Sequence, residues 1–109
     1  MASKTRILVI EKYFEVAEII KNILELEGYE VDFAFTSSDV ELKIEFADAV
    51  VCDSYGIFEK PDYIIKVCEF RSIPCILTSS EPIESVSVPV LEKPFGSAEL
   101  IGAIKSLQL

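Results

Sequence analysis

The stretch Ile7-Leu8-Val9-Ile10 is an unbroken apolar run, β-branched at three of its four positions, and it stops at an acid, Glu11. A strand with one wet face alternates polar and apolar residues. An unbroken run suits a strand covered on both faces, which is the habit of parallel sheets. The period then changes. Val16, Ile19, Ile20, Ile23, Leu24 and Leu26 recur at three-to-four spacing and predict a helix, and Gly28 stands where a helix end favours a residue tolerant of positive φ. Tyr29 to Phe35 reads as a second strand with one face more polar, as near a sheet edge.

The alternation continues along the chain. Ser37 or Ser38 is expected to cap a short, weakly patterned helix carrying Val40, Leu42, Ile44 and Phe46. Ala47 to Cys52 is a third strand, breaking off in the turn-forming cluster Asp53-Ser54-Tyr55-Gly56. Pro61 can open a third helix with Ile64, Ile65, Val67, Cys68 and Phe70 as its buried stripe. Ile73 to Leu77 is a fourth strand, followed by Thr78-Ser79-Ser80. Residues 81–87 are too few and too interrupted by Ser and Pro to predict a helix, and Val88 to Leu91 is a fifth strand. Ser97 is expected to cap a last helix with Leu100, Ile101, Ile104 and Leu107 inward. This order predicts an α/β domain: a five-stranded parallel sheet with helices on both faces, the fourth helix short or missing. The 109 residues make one domain, with its core between about 6 and 107.

Composition narrows the function. Ten Lys and Arg face nineteen Asp and Glu, for a net charge of −9. That balance repels phosphate backbones and anionic lipid, so neither nucleic acid nor a membrane surface is an expected partner. The chain has no His, which removes Ser-His-Asp and Cys-His nucleophile schemes and His metal sites. Cys52, Cys68 and Cys75 form no C-x-x-C and sit among apolar residues, as buried reduced thiols would. Residues 1–6 show no apolar signal-peptide core, and the longest uncharged run falls short of the ~18 residues of a membrane span. A cytoplasmic location is expected.

Ligand sites in parallel sheets lie at the carboxyl ends of the strands. The residues that follow successive strands are Glu11 and Lys12, then Thr36, Asp53, Thr78 and Lys93, among which Glu11, Asp53, Thr78 and Lys93 make a coherent set. A carboxylate, a hydroxyl and an ammonium around one crevice can handle a phosphoryl group: the carboxylate accepts it, and the others bind its oxygens. Taken singly, Asp53 is also an ordinary turn acid, Thr78 part of a polar loop and Lys93 a solvated loop cation. Their order at successive strand ends favours the shared crevice.

At these residues the chain resembles the receiver domains of two-component response regulators. The resemblance runs from about Arg6 to Leu107 and is carried by Ile7-Leu8-Val9-Ile10-Glu11, Leu26-Glu27-Gly28-Tyr29-Glu30-Val31, Ala49-Val50-Val51-Cys52-Asp53, Ile73-Pro74-Cys75-Ile76-Leu77-Thr78 and Leu91-Glu92-Lys93-Pro94-Phe95. It implies a flavodoxin-like three-layer sandwich and a signalling role in a phosphorelay rather than an enzyme. Asp53 would be the phospho-acceptor, served by a histidine kinase or phosphotransfer protein. Thr78 would be the switch hydroxyl, Lys93 would pair with the phosphoryl group across a bond to Pro94 that is often cis in the family, and Glu11 would be the first of two acids around Mg²⁺. Output would pass through a downstream protein partner.

The departures bear on the chemistry. Lys12 stands where the resemblance implies the second acid, a direct metal ligand. Val90 occupies a position where many receivers carry an aromatic, and Ser54-Tyr55-Gly56-Ile57-Phe58 replaces the usual loop after the acceptor. Removing an anionic ligand and adding a cation within ~4–6 Å costs several kcal/mol of Mg²⁺ affinity, even at an effective dielectric of about 20. Lys12 is therefore expected to pair with Asp53 or Glu11 in place of the ion. The opposing case is geometric: Lys12 can swing into water, leaving Glu11, Asp53 and the Tyr55 carbonyl as weak Mg²⁺ ligands. The alternative function is a phosphorylation-independent pseudo-receiver, a protein-binding or dimerisation module. The short segment 79–89 is where an exposed apolar surface for a homodimer is expected. Tyr13, Phe14, Tyr55 and Phe58 are loop aromatics at the same sheet end, read as a lid on the core or a partner surface.

Other small α/β chemistries fit less well. Phe58, Pro74 and Glu81 follow the three cysteines where a phosphatase loop needs its Arg, and Glu11-Lys12-Tyr13-Phe14 is not a flavin loop. No P-loop or dinucleotide fingerprint occurs, so neither flavin nor nucleotide is an expected cofactor.

Overall fold

The computed structural model describes residues 4–57, 60–84 and 86–109. Five strands, β1 (Arg6–Ile10), β2 (Glu30–Ala34), β3 (Ala49–Asp53), β4 (Cys75–Ser79) and β5 (Val90–Glu92), form one sheet. Its order is β2-β1-β3-β4-β5, with every neighbouring pair parallel. Four helices, α1 (Phe14–Leu26), α2 (Ser37–Lys43), α3 (Asp62–Arg71) and α4 (Ser97–Ser106), and a 3-10 turn at Ile44–Phe46 complete the set. The described residues between β4 and β5 contain no helix, as expected of that segment.

The sheet separates two cores. Ile7, Val9, Ala49, Val51 and Ile76 pack on one face with Ala17, Ile20 and Leu24 of α1 and Leu100 and Ile104 of α4. Leu8, Ile10, Val50, Cys52 and Leu77 pack on the other with Val40 of α2 and Ile64, Ile65 and Cys68 of α3. Successive side chains of a strand alternate between faces, so the central strands must be apolar on both, and Ile7–Ile10, Ala49–Cys52 and Cys75–Leu77 are, with polar residues only at the strand ends. β2 and β5, less buried along their length, hold the two edges. All three cysteines are free and buried, and burial pushes the Cys52 thiol far up, which keeps it inert.

The expected strand ends need correction at β3 and β4. Both run further than the apolar residues suggest, so that Asp53 and Thr78 are themselves paired, Cα opposite Cα, in the ladder. Thr36, not Ser37 or Ser38, caps α2, its Oγ1 accepting from the Asp39 N–H at 3.1 Å. Gly96, not Ser97, precedes α4, its N–H donating to Glu99 Oε1 at 3.2 Å. Several residues expected inward point outward: Ile19, Leu26, Leu42, Phe46 and Phe70 are exposed. The segment after β4 is not the open apolar surface expected either, because Ile83, Val86 and Val88 fold back on the core.

Candidate functional site

Period-two alternation brings the site together. Glu11 continues the phase of Ile7 and Val9, Asp53 that of Ala49 and Val51, Thr78 that of Ile76, and Lys93 that of Leu91, all on the α1–α4 face. β1 and β3 are the neighbours between which the strand order reverses, the place where open α/β sheets form a crevice. Glu11 and Asp53 stand at the two lips of that crevice.

Lys93 joins them. Its Nζ lies 3.2 Å from Asp53 Oδ1 and 3.4 Å from Glu11 Oε2. Its own N–H donates to the Ser79 carbonyl at 2.7 Å, tying the lysine to the tip of β4. The Lys93–Pro94 bond is cis. Glu11 is only 1% exposed, and its Oε1 accepts the Tyr13 N–H at 3.3 Å. Burial holds its pKa above the ordinary glutamate value, and the neighbouring Asp53 charge adds to this, while Lys93 opposes both. Thr78 is buried beside Asp53, and its Oγ1 has no hydrogen-bond partner among the described residues.

Lys12 is not where it was expected. It is exposed, and its Nζ sits 5.7 Å from the centre of the Tyr13 ring. Lys93 pairs with both Asp53 and Glu11, one of which was expected to pair with Lys12. The physical reason is reach: a long stem beside an exposed ring finds a cation–π contact without desolvating its charge. Tyr55 lies in the turn after β3 with its side chain 61% exposed. Of the other loop aromatics, Tyr13 and Phe14 are half exposed, Phe14 lying against Phe33 and Phe35, while Phe58 lies outside the described residues.

Two contributors went unread in the sequence. Ser54 is buried, its Oγ without a hydrogen-bond partner among the described residues. It follows an acid in a turn, and only the continuation of β3 pairing, its N–H donating to the Thr78 carbonyl at 2.9 Å, buries it. Gly56 is the other. A Cβ built there would stand 2.6 Å from Asp53 Oδ2, so the Asp53 carboxylate fills the space of that residue's missing side chain.

A Mg²⁺ site of the kind implied by the resemblance draws on three carboxylates. Here two carboxylates share one ammonium, and among the described residues no three His, Cys, Asp or Glu side chains gather as ligands. The donor set does not match such a cage, and its charge is met largely by Lys93.

Comparison with sequence-family profiles found no match, and neither did comparison with curated proteins. Comparison with solved structures did. The chain is similar to a CheY-like receiver domain protein of Methanospirillum hungatei JF-1, with 24% identity over 96% of this chain and 94% of that one and a TM-score of 0.83. It is similar to the chemotaxis response regulator CheY4 of Vibrio cholerae, with 18% identity over 96% and 99% and a TM-score of 0.82. A CheY-like receiver domain from Methylobacillus flagellatus aligns at 23% identity over 96% and 99% with a TM-score of 0.79. An order β2-β1-β3-β4-β5, a site astride its reversal and these likenesses agree: the chain has the flavodoxin-like fold of CheY-like response-regulator receiver domains.

Proposed function

We propose that this chain is a receiver domain of two-component signalling that takes a phosphoryl group on Asp53 from a histidine kinase or phosphotransfer protein. The observation that carries the reading is the Lys93 ammonium within 3.4 Å of both Asp53 and Glu11, next to a buried Thr78 hydroxyl with no partner. In the step, an Asp53 carboxylate oxygen attacks phosphorus. The nitrogen–phosphorus bond of the donor's phosphohistidine breaks, and its electron pair stays on the imidazole nitrogen. An acyl phosphate results. Lys93 binds a phosphoryl oxygen, and Thr78 gains the acceptor it lacks. The turn of Thr78 toward the phosphoryl group then alters a surface read by a protein partner. No step is routed through Mg²⁺, whose contribution is expected to be weak because Lys12 replaces an acid and Lys93 meets the remaining charge.

That same departure favours a second reading, a phosphorylation-independent binding module. Incubation with acetyl phosphate, with and without Mg²⁺, followed by intact mass, separates the two. The expected result is a gain of one phosphoryl group that is lost in Asp53→Asn. No gain under either condition leaves the second reading standing.

A further inference from the structure

Two exposed apolar surfaces on opposite faces of the sheet carry opposite charge. Between α2 and α3 lies a hollow of about 400 Å³, lined by Val40, Val67 and Phe70 together with Lys66, Arg71 and one acid, Glu41. Phe70 is 91% exposed, and Tyr63, seven residues before it on the same side of the helix, is half exposed. Neither Lys66 nor Arg71 takes part in a salt bridge among the described residues. On a chain of net charge −9 this is an apolar patch whose border, two cations against Glu41, is net positive.

On the opposite face, α1 exposes Ile19 at 60% and Leu26 at 89%, again seven residues apart. Glu15 and Glu18 lie beside Ile19 on that surface and make no salt bridge among the described residues. Single exposed apolar residues are unremarkable, but a two-turn apolar ridge flanked by acids is the complement of a two-turn apolar hollow flanked by bases. Each ridge runs about 10 Å along its helix axis.

We propose that the hollow between α2 and α3 docks α1 of a second copy of this chain, with Ile19 and Leu26 against Phe70 and Val67, and Glu15 and Glu18 facing Lys66 and Arg71. The two surfaces lie on opposite faces of one molecule, so the contact is heterologous and repeats head to tail instead of closing as a symmetric pair. One helix in a shallow hollow buries little area, and net like charge opposes approach, so the association is weak and concentration-dependent.

Sedimentation velocity on the full chain, from micromolar to millimolar, tests it. The weight-average sedimentation coefficient rises with concentration beyond that of a dimer. Phe70→Glu abolishes the rise, and Lys66→Glu and Glu18→Lys each weaken association by about tenfold. An equimolar mixture of the two charge-reversed variants recovers it, because every junction in the mixture can pair opposite charges. Circular dichroism verifies that these surface variants keep the fold. A wild-type chain that stays monomeric to millimolar overturns the proposal. So does a mixture that fails to recover. Loss in Lys66→Glu with none in Glu18→Lys also overturns it, since the hollow then meets something other than α1.

Discussion

Thr78 and Ser54 hold hydroxyls out of water with nothing to bond among the described residues. Leaving a buried polar group unmade costs about 1–3 kcal/mol, which a folded domain tolerates where function needs the group. Thr78→Val is expected to stabilise the resting domain by about 1 kcal/mol in urea unfolding, while impairing the response to phosphorylation. A variant no more stable than wild type would mean the hydroxyl is satisfied at rest. Glu11 gives a pH test. Its pKa is raised in the fold by burial, then by Asp53, so its ionisation on going to neutral pH costs stability that the protonated form does not lose. Glu11→Gln is therefore expected to melt higher than wild type at pH 7. The difference should close as pH falls through the ordinary glutamate range, as followed by thermal unfolding from pH 7 to pH 4. At this scale the sequence was legible wherever a polar residue ended an apolar run in fixed phase, as Glu11, Asp53, Thr78 and Lys93 do. Lys12 was not legible, because a flexible stem chooses its direction from neighbours such as the Tyr13 ring, which spacing does not reveal.

Among the elements, α1 ends as its sequence predicts. The Gly28 N–H donates to the Glu25 carbonyl and the Tyr29 N–H to the Leu24 carbonyl, with Gly28 at φ +94°. This paired capping needs a left-handed residue, and a Cβ at Gly28 would meet no atom within 4 Å. Gly28→Ala is accordingly expected to cost about 1–2 kcal/mol by backbone strain alone, measured as a shift in urea midpoint with unchanged slope. Which helical residues would be buried was only partly legible. Three-to-four spacing marks a stripe, but the stripe has a centre. Phe70 lies roughly 165° from the centre set by Ile64, Ile65 and Cys68, and Leu26 lies roughly 155° from that of Ala17, Ile20 and Leu24. In α2 the change to a 3-10 turn at Ile44 alters the phase, which carries Phe46 outward. The end of β4 was misjudged because Thr78 and Ser79 look like a turn, whereas backbone pairing to β5 continues through both.

For the whole molecule, the alternation of periods was enough for a parallel three-layer sandwich, because few topologies accommodate it. The neighbours of each strand were not written in that pattern, since burial on both faces says that a strand is central without saying beside which. Only the polar face of β2 announced its edge. Net charge acts at the same scale. At −9 the compact state repels itself, and added salt screens that repulsion over a Debye length that shortens to about 8 Å at physiological ionic strength. The melting temperature is expected to rise by a few degrees between low and physiological salt, as scanning calorimetry would register. A flat or falling profile would show that local ion pairs such as Lys93 with its two acids outweigh the global field.

Gly56 contributes to the site by having nothing to contribute. With Asp53 lodged where a methyl group would go, any replacement at this position has to displace that carboxylate, and a saturation library is expected to weaken the proposed acceptor function throughout, though no reactive atom is touched. The proposed centre thus reaches one residue further than its functional groups do, and a redesign of the loop after β3 has to leave that space open or let Asp53 move.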